Sequence, residues 1–161
     1  TETPPPIPSE TPSCIRDNRT GLIWEVKTDD FGVRDKDWTY RWGDGIGGTQ
    51  CFAGADCNTD NYVVTVNALN LCGETLNDWR LPSRSELLSI LDHGASLPAI
   101  DADYFPNTAF AVSQYPVGYW SSDLWASSPN SYAWFVYFKD GNSTAVRRTN
   151  NHYVRLVRGG Q

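Results

Sequence analysis

Few side chains in this 161-residue sequence have the chemistry to do more than pack. His93 and His152 are the available imidazole bases, four cysteines punctuate the first half, and Asp29, Asp30, Asp35 and Asp37 crowd one loop. General acid–base work needs a base set beside a nucleophile or substrate. Ser121 and Ser122 lie in a Tyr-Trp-Ser-Ser run, not in the Gly-x-Ser-x-Gly elbow that presents a nucleophilic serine. The sequence has no P-loop, dinucleotide fingerprint or zinc-protease motif. A protein without enzymatic activity is expected. The four aspartates could gather oxygen ligands around calcium, but their spacing is not that of an EF-hand, and Arg34 and Lys36 lie among them. Solvated loop acids are the expectation, with no metal and no cofactor; a structural calcium is the one alternative.

Cys14, Cys51, Cys57 and Cys72 form no CxxC pair, and no histidine lies near enough in sequence to complete a zinc site. An even number of such cysteines reads as two disulfides in an exported protein. Residues 59–70 have helical spacing, and about 12 residues at about 1.5 Å each span roughly 18 Å. Cys57 and Cys72 flank that helix, too far apart for a bond that needs Cα atoms within about 7 Å. Two pairings remain, Cys51–Cys57 with Cys14–Cys72, or Cys14–Cys57 with Cys51–Cys72. The short loop of the first closes easily and favours it.

The elements that must position these groups form one domain. Aromatic residues make up 13% of the chain and charged residues only 20%, which is a globular composition, not a disordered one. Residues 1–13 are Pro-rich and form an extended tether; residues 14–161 are the folded unit. The absence of Met is expected of a processed start, with any export signal already removed. No run of about 18 apolar residues occurs, so no direct membrane insertion is expected. Net charge is −6 but unevenly spread. Residues 1–138 carry 8 Lys and Arg against 18 Asp and Glu, net −10, and residues 139–161 carry 5 against 1, net +4. Overall acidity argues against a nucleic-acid partner, whereas the basic tail could attract a sulfated or carboxylated ligand. Arg155 and Arg158 are expected on the polar face of a strand.

A first strand is predicted over residues 22–27 and a first helix from a Thr59 cap, with Val63, Val66 and Leu69 facing inward. Ser83 and Glu86 form a capping box for a second helix that buries Leu87, Leu88, Ile90 and Leu91 and stops by Gly94. Asp78 reads as a partner of the Arg80 guanidinium. The last third is β-rich, with a hairpin turned at Asp140-Gly141. Alternation puts Trp134, Val136 and Phe138 on the core face and leaves Phe135 and Tyr137 outward.

Several ordered motifs then carry a resemblance. They are Thr20-Gly21-Leu22-Ile23-Trp24, Asn70-Leu71-Cys72-Gly73, Asp78-Trp79-Arg80-Leu81-Pro82, Tyr104-Phe105-Pro106-Asn107-Thr108, Tyr119-Trp120-Ser121-Ser122 and Val154-Arg155-Leu156-Val157-Arg158. From about Cys14 to Arg158 the chain resembles the C-terminal domain of the Legionella collagen-like adhesin family. That resemblance implies an α+β, C-type-lectin-like fold: a twisted, mostly antiparallel sheet, two flanking helices, and paired N- and C-terminal strands. It also implies an exported, cell-surface or extracellular protein that binds sulfated glycans. The Glu-Pro-Asn or Gln-Pro-Asp and Trp-Asn-Asp motifs of calcium-dependent sugar-binding lectins are absent, and no cysteine follows Cys72 to supply the chemistry of the related formylglycine-generating enzymes.

The last third also resembles variable proteins of diversity-generating retroelements, which scatter Asn, Ser, Asp, Tyr, Phe, Thr, Arg and His over exposed positions of a fixed frame. The resemblance implies Trp120, Trp134, Val136, Phe138, Gly141, Val154 and Leu156 as that frame. Aromatic anchors among adaptable polar residues have the composition of a paratope. The expected ligand-binding residues are Asp123, Leu124, Trp125, Asn130, Ser131, Phe135, Tyr137, Asp140, Asn142, Thr144, Arg147, Arg148, Asn150, Asn151 and His152. The expected partner is a surface protein or glycan, bound by a diversified face. The alternatives are a fixed adhesin face for sulfated glycans and a trimeric cap on a surface stalk.

Overall fold

The computed structural model describes residues 12–45, 50–52, 56–73, 77–95, 97–110 and 118–159. The Pro-rich tether expected over residues 1–13 falls almost wholly outside them. The described residues form an α+β domain with two antiparallel three-stranded sheets and two α-helices, in place of the single twisted sheet expected. In the first sheet β2 (Ile23–Glu25) lies between β1 (Cys14–Arg16) and β6 (Val157–Arg158), so the N-terminal hairpin pairs with the last strand. The second sheet is a meander of β3 (Tyr119–Leu124), β4 (Tyr132–Tyr137) and β5 (Asn142–Arg147).

Residues 152–158 stitch the two sheets together. His152 exchanges backbone hydrogen bonds with Tyr40, Tyr153 bonds to Gly118 and Trp120, the Leu156 carbonyl accepts from Glu25, and Val157 exchanges bonds with Arg80. This run was expected to continue as one strand; it spends its backbone groups on four different segments instead. Most of its side chains are covered: Val154, Arg155, Leu156 and Val157 are each 0% exposed, and Tyr153 is half-buried.

Arg155 and Arg158 therefore do not form a solvated strand face. Arg155 donates from Nη1 to the Glu25 carbonyl and from Nη2 to Thr108 Oγ1, both at 2.9 Å, and its guanidinium lies 5.0 Å from the Phe105 ring centre. Arg158 lies over Trp79 and within 3.6 Å of Asp78. Asp78 thus lies against Arg158, while its charge also bears on Arg80. The Arg80 guanidinium instead makes a two-pronged pair with Glu86, at 2.8 and 2.7 Å, the planar geometry that suits a carboxylate best.

Helix α1 (Thr59–Ala68) is capped by Asn58, whose side chain accepts the Asn61 N–H; Thr59 is the first helical residue. Its buried face is Thr59, Tyr62 and Val66, while Leu69 is exposed. The polar members of that face are occupied: Thr59 Oγ1 accepts from the Gly43 N–H, and the Tyr62 hydroxyl donates to the buried Glu25 carboxylate. Helix α2 (Arg84–Ser89) has the expected capping box between Ser83 and Glu86 and buries Leu87; Leu88, Ile90 and Leu91 pack partly against the same cluster. The helix ends at Ser89, short of Gly94.

Both disulfides follow the favoured pairing: Cys14–Cys72 with a Cα separation of 6.3 Å and Cys51–Cys57 with 5.5 Å. They close loops of very different size, with sequence separations of 58 and 6. Chain-entropy estimates give about 4 kcal/mol for the long loop and about 2 kcal/mol for the short one. Replacing Cys14 and Cys72 together by Ser should thus lower the urea midpoint about twice as far as replacing Cys51 and Cys57. Equal losses from the two pairs would contradict this ordering.

Candidate ligand-binding face

Strands β4 and β5 run in unbroken register from Tyr132–Arg147 to Tyr137–Asn142, and directly opposed residues share a face of the sheet. One face carries Ala133, Phe135 and Tyr137 with Val146, Thr144 and Asn142. The other carries Tyr132, Trp134 and Val136 with Arg147, Ala145 and Ser143.

The middle of β4 is covered on both sides, which corrects the expected orientation. Phe135 is only 1% exposed, stacked on the His152 ring at 4.6 Å and set edge-on to Trp120. Val136 and Phe138 enter a separate cluster with Trp24, Leu87 and Tyr119. Alternation told the two faces apart but not which was wet, because neither is. Gly118 is required here, since a Cβ at that position would fall 2.0 Å from the Phe135 ring. His152 is likewise a frame residue, not a ligand contact: it is 4% exposed and enclosed by Trp120 and Phe135. Its Nδ1 accepts the Gly118 N–H at 3.4 Å, and Nε2 has no hydrogen-bond partner among the described residues. Burial pulls its pKa down to about 4.

Trp134, expected in the core, is half-buried on the second face beneath the Arg84 guanidinium, 4.1 Å from its ring centre. Arg84 Nε also donates to Ser143 Oγ at 2.9 Å. Next along the face, Tyr132 meets Trp125 edge-on at 5.4 Å and lies 5.8 Å from the Arg147 guanidinium. Leu124 and Trp125 continue this surface and are exposed. Asp123 accepts the Arg84 backbone N–H at 2.5 Å, so it positions α2. Asn130, Ser131, Asp140, Asn142, Thr144, Arg147 and Asn150 are exposed, and Tyr137, Arg148 and Asn151 are half-buried.

Arg148 opens a second feature. Its guanidinium stacks on Trp42 at 4.4 Å, and together with Arg41, Gly45, Asn130 and Thr149 the pair lines a groove of about 420 Å³. Trp42 is pinned by its indole N–H to the Ser121 carbonyl at 2.8 Å and by its backbone N–H to the Arg148 carbonyl at 3.0 Å. Sequence reasoning missed Arg41, Trp42, Arg84, Tyr132 and the outward Trp134. Arg–aromatic pairs form across distant segments, so nothing local announced them. Clefts of similar size beside Phe105 and Tyr153, and beside Arg16 and Tyr104, lie away from these residues.

The loop aspartates are not simply solvated. Asp35 is 1% exposed and accepts the backbone N–H groups of Asp30, Phe31 and Asp37. Burial pushes its pKa up, but those three donors outweigh it and hold the carboxyl below its ordinary value. Asp29, Asp35 and Asp37 converge to within 4.8 Å, and the Lys36 ammonium sits 3.0 Å from both Asp29 and Asp37. The two carboxylates raise the Lys36 pKa in turn. The Lys36 ammonium thus offsets one of the three negative charges of the cluster.

A family model described as the Lcl C-terminal domain matches residues 13–158. No curated protein and no solved structure matches the chain.

The enclosure of His152 has a pH signature. Its folded pKa of about 4 lies below the ordinary 6.5, so the folded state favours the neutral ring. The associated stability, up to about 3 kcal/mol, is present above the ordinary pKa and is lost as pH falls toward the folded value. Imidazole NMR should show His152 neutral down to about pH 4. A midpoint near 6.5 would mean that the ring is open to solvent.

Proposed function

This chain belongs to the Lcl C-terminal domain family, and from that premise we propose that it is a non-enzymatic ligand-binding domain of an exported, surface-associated protein. The two disulfides fit an oxidising compartment. Among the described residues no helix is long and apolar enough to cross a membrane. A C-type-lectin-like arrangement belongs to this reading and is supported by the pairing of the N-terminal hairpin with the last strand.

The observation that carries the proposal is the separation of frame from face in the last third. Trp120, Phe135, Val136, Phe138, Val154 and Leu156 are at most 1% exposed, whereas Asn142, Thr144, Arg147 and Asn150 stand in solvent. Side chains of the second set can change without disturbing the first. Asn142 and Thr144 lie on the sheet face opposite that of Arg147, so the exposed positions form a rim around β5 and not one flat face. Such a rim suits diversification by a retroelement toward varied protein or glycan ligands, with Phe135 and His152 moved from the variable set to the frame. A second reading, a fixed face for sulfated glycans, is favoured by the groove in which Arg41 and Arg148 flank Trp42.

Two experiments separate these readings. Sequencing the DNA around the gene should reveal a near-identical template repeat and a reverse transcriptase gene; finding neither would sink the diversified version. For the fixed version, the domain should bind a sulfated polysaccharide at low salt and not its desulfated form, with affinity falling as salt rises. Arg148→Ala should weaken that binding about tenfold, the loss of roughly one charge-assisted contact. No binding at low salt would eliminate it.

A further inference from the structure

The outer edge of β5 is an open hydrogen-bonding edge. Among the described residues β5 is the last strand of its sheet and pairs only with β4. It runs for six residues without a bulge, contains no proline, and carries one charge, on Arg147 at its end. Soluble proteins usually protect such an edge with charge, proline, a bulge or a covering element, and among the described residues no other strand or helix covers this one.

The ladder fixes which backbone groups are free. Arg148 N donates to Ser131 O just beyond the Tyr132–Arg147 pair, while Tyr132 O accepts from Trp125 on the opposite side of β4. Bonded and non-bonded pairs alternate in an antiparallel ladder. Asn142, Thr144 and Val146 therefore turn their N–H and C=O groups toward β4, and Ser143, Ala145 and Arg147 turn theirs away. Asn150 N takes the Arg147 carbonyl. This leaves both backbone groups of Ser143 and Ala145, and the Arg147 N–H, aimed outward without a partner among the described residues.

The sheet face beside this edge selects the occupant. Ser143, Ala145 and Arg147 point their side chains to the same face as Tyr132 and Trp134. There Arg84 and Arg147 lie over aromatic rings, and among the described residues neither guanidinium forms an ion pair with a carboxylate. A second copy paired antiparallel through β5 would bring the same two arginines onto one shared face, like charge beside like charge. A strand with acidic residues at every second position would oppose them with the right sign.

We propose that the β5 edge takes an extended, acidic polypeptide segment of a partner protein as a fourth strand, held by the backbone groups of Ser143 and Ala145 and matched in charge by Arg84 and Arg147. This rests on the reading of the last third as a binding face and names a polypeptide as its partner class. Main-chain recognition gives affinity that tolerates exchange of the exposed side chains, with alternate side chains supplying selectivity.

The test uses the whole chain and the peptide acetyl-Glu-Val-Glu-Val-Glu-Val-amide, with its Lys-for-Glu counterpart as control. In the free protein the Ser143 and Ala145 amides should exchange fast. Adding the Glu peptide at millimolar concentration should slow both by about tenfold or more, and the Lys peptide should not. Ala145→Pro removes an outward N–H without touching the β4 ladder and should abolish peptide binding. It should keep the near-ultraviolet dichroism of the native chain and any binding of sulfated polysaccharide in the groove beside Trp42.

Absence of peptide binding, protection of amides other than those on β5, or protection of Ser143 and Ala145 through dimerisation without peptide would each overturn the inference. Amide exchange in the unsubstituted protein decides the matter even if the proline variant fails to fold. Polysaccharide binding that survives while the peptide fails would leave the broader reading standing. Loss of both would remove it.

Discussion

The Glu25 carboxylate is the group on which the rest of the structure depends. It is 0% exposed, on a central strand, and every oxygen is occupied: Oε1 accepts from the Tyr62 hydroxyl and from Lys27 Nζ, and Oε2 accepts from the Leu156 N–H. Its carbonyl takes the Arg155 guanidinium and its N–H donates to Leu156 O. Removing a carboxylate and an ammonium from water costs several kcal/mol per ion, so this arrangement exists only because the partners arrive together. Burial drives the pKa of Lys27 down, with Glu25 opposing that shift, and drives the Tyr62 phenol well up, with Glu25 adding to it. Replaced by apolar residues, such a cluster could be equally stable. What it supplies here is a fixed meeting point for β2, α1, the loop carrying Thr108, and residues 155–156.

From that point the geometry of the face follows. Anchoring residues 155–156 sets the run from His152 to Val157, which bonds in turn to Tyr40, Gly118, Trp120 and Arg80. Tyr119 and Trp120, at the start of β3, lie fully buried on opposite sides, one against Phe138 and the other against Phe135 and His152. The meander therefore leaves the core as a stiff plate, and its exposed edge and outer face have only side chains to vary. Arginines resting on aromatic rings, Arg84 on Trp134 and Arg148 on Trp42, keep positive charge at that surface with little freedom to lose on binding.

Local signals in the sequence were enough for the capping box at Ser83 and Glu86, the hairpin at Asp140-Gly141 and the disulfide pairing, because each depends on a few neighbouring residues or on the length of one helix. The family motifs placed the chain correctly as a whole. The main errors have two causes. Glu25, Lys27, Arg155 and Arg158 look like surface residues until their partners are known, and apart from the nearby Glu25 and Lys27 those partners lie far away in sequence. Phe135 and Tyr137 look outward by alternation, yet a strand covered on both faces breaks the link between alternation and exposure. Alternation misplaces Trp134, Phe135 and Tyr137 for that reason; of the polar positions on and beside β5, Asn142, Thr144, Arg147 and Asn150 are exposed as expected, whereas Arg148 and Asn151 are half-buried and His152 is enclosed.

The central claim is that a frame locked by Glu25 carries a face whose side chains are energetically independent of it. The most direct measurement compares unfolding free energies of two variants by urea titration. Exchanging four face residues at once, as Asn142→Ser, Thr144→Tyr, Arg147→Asn and Asn150→Asp, should change stability by no more than about 1 kcal/mol. Glu25→Ala alone, which strands Lys27 and the Leu156 N–H, should cost about 3–5 kcal/mol. A fourfold face variant that loses as much as Glu25→Ala would contradict the account, because the face would then be part of what holds the domain together.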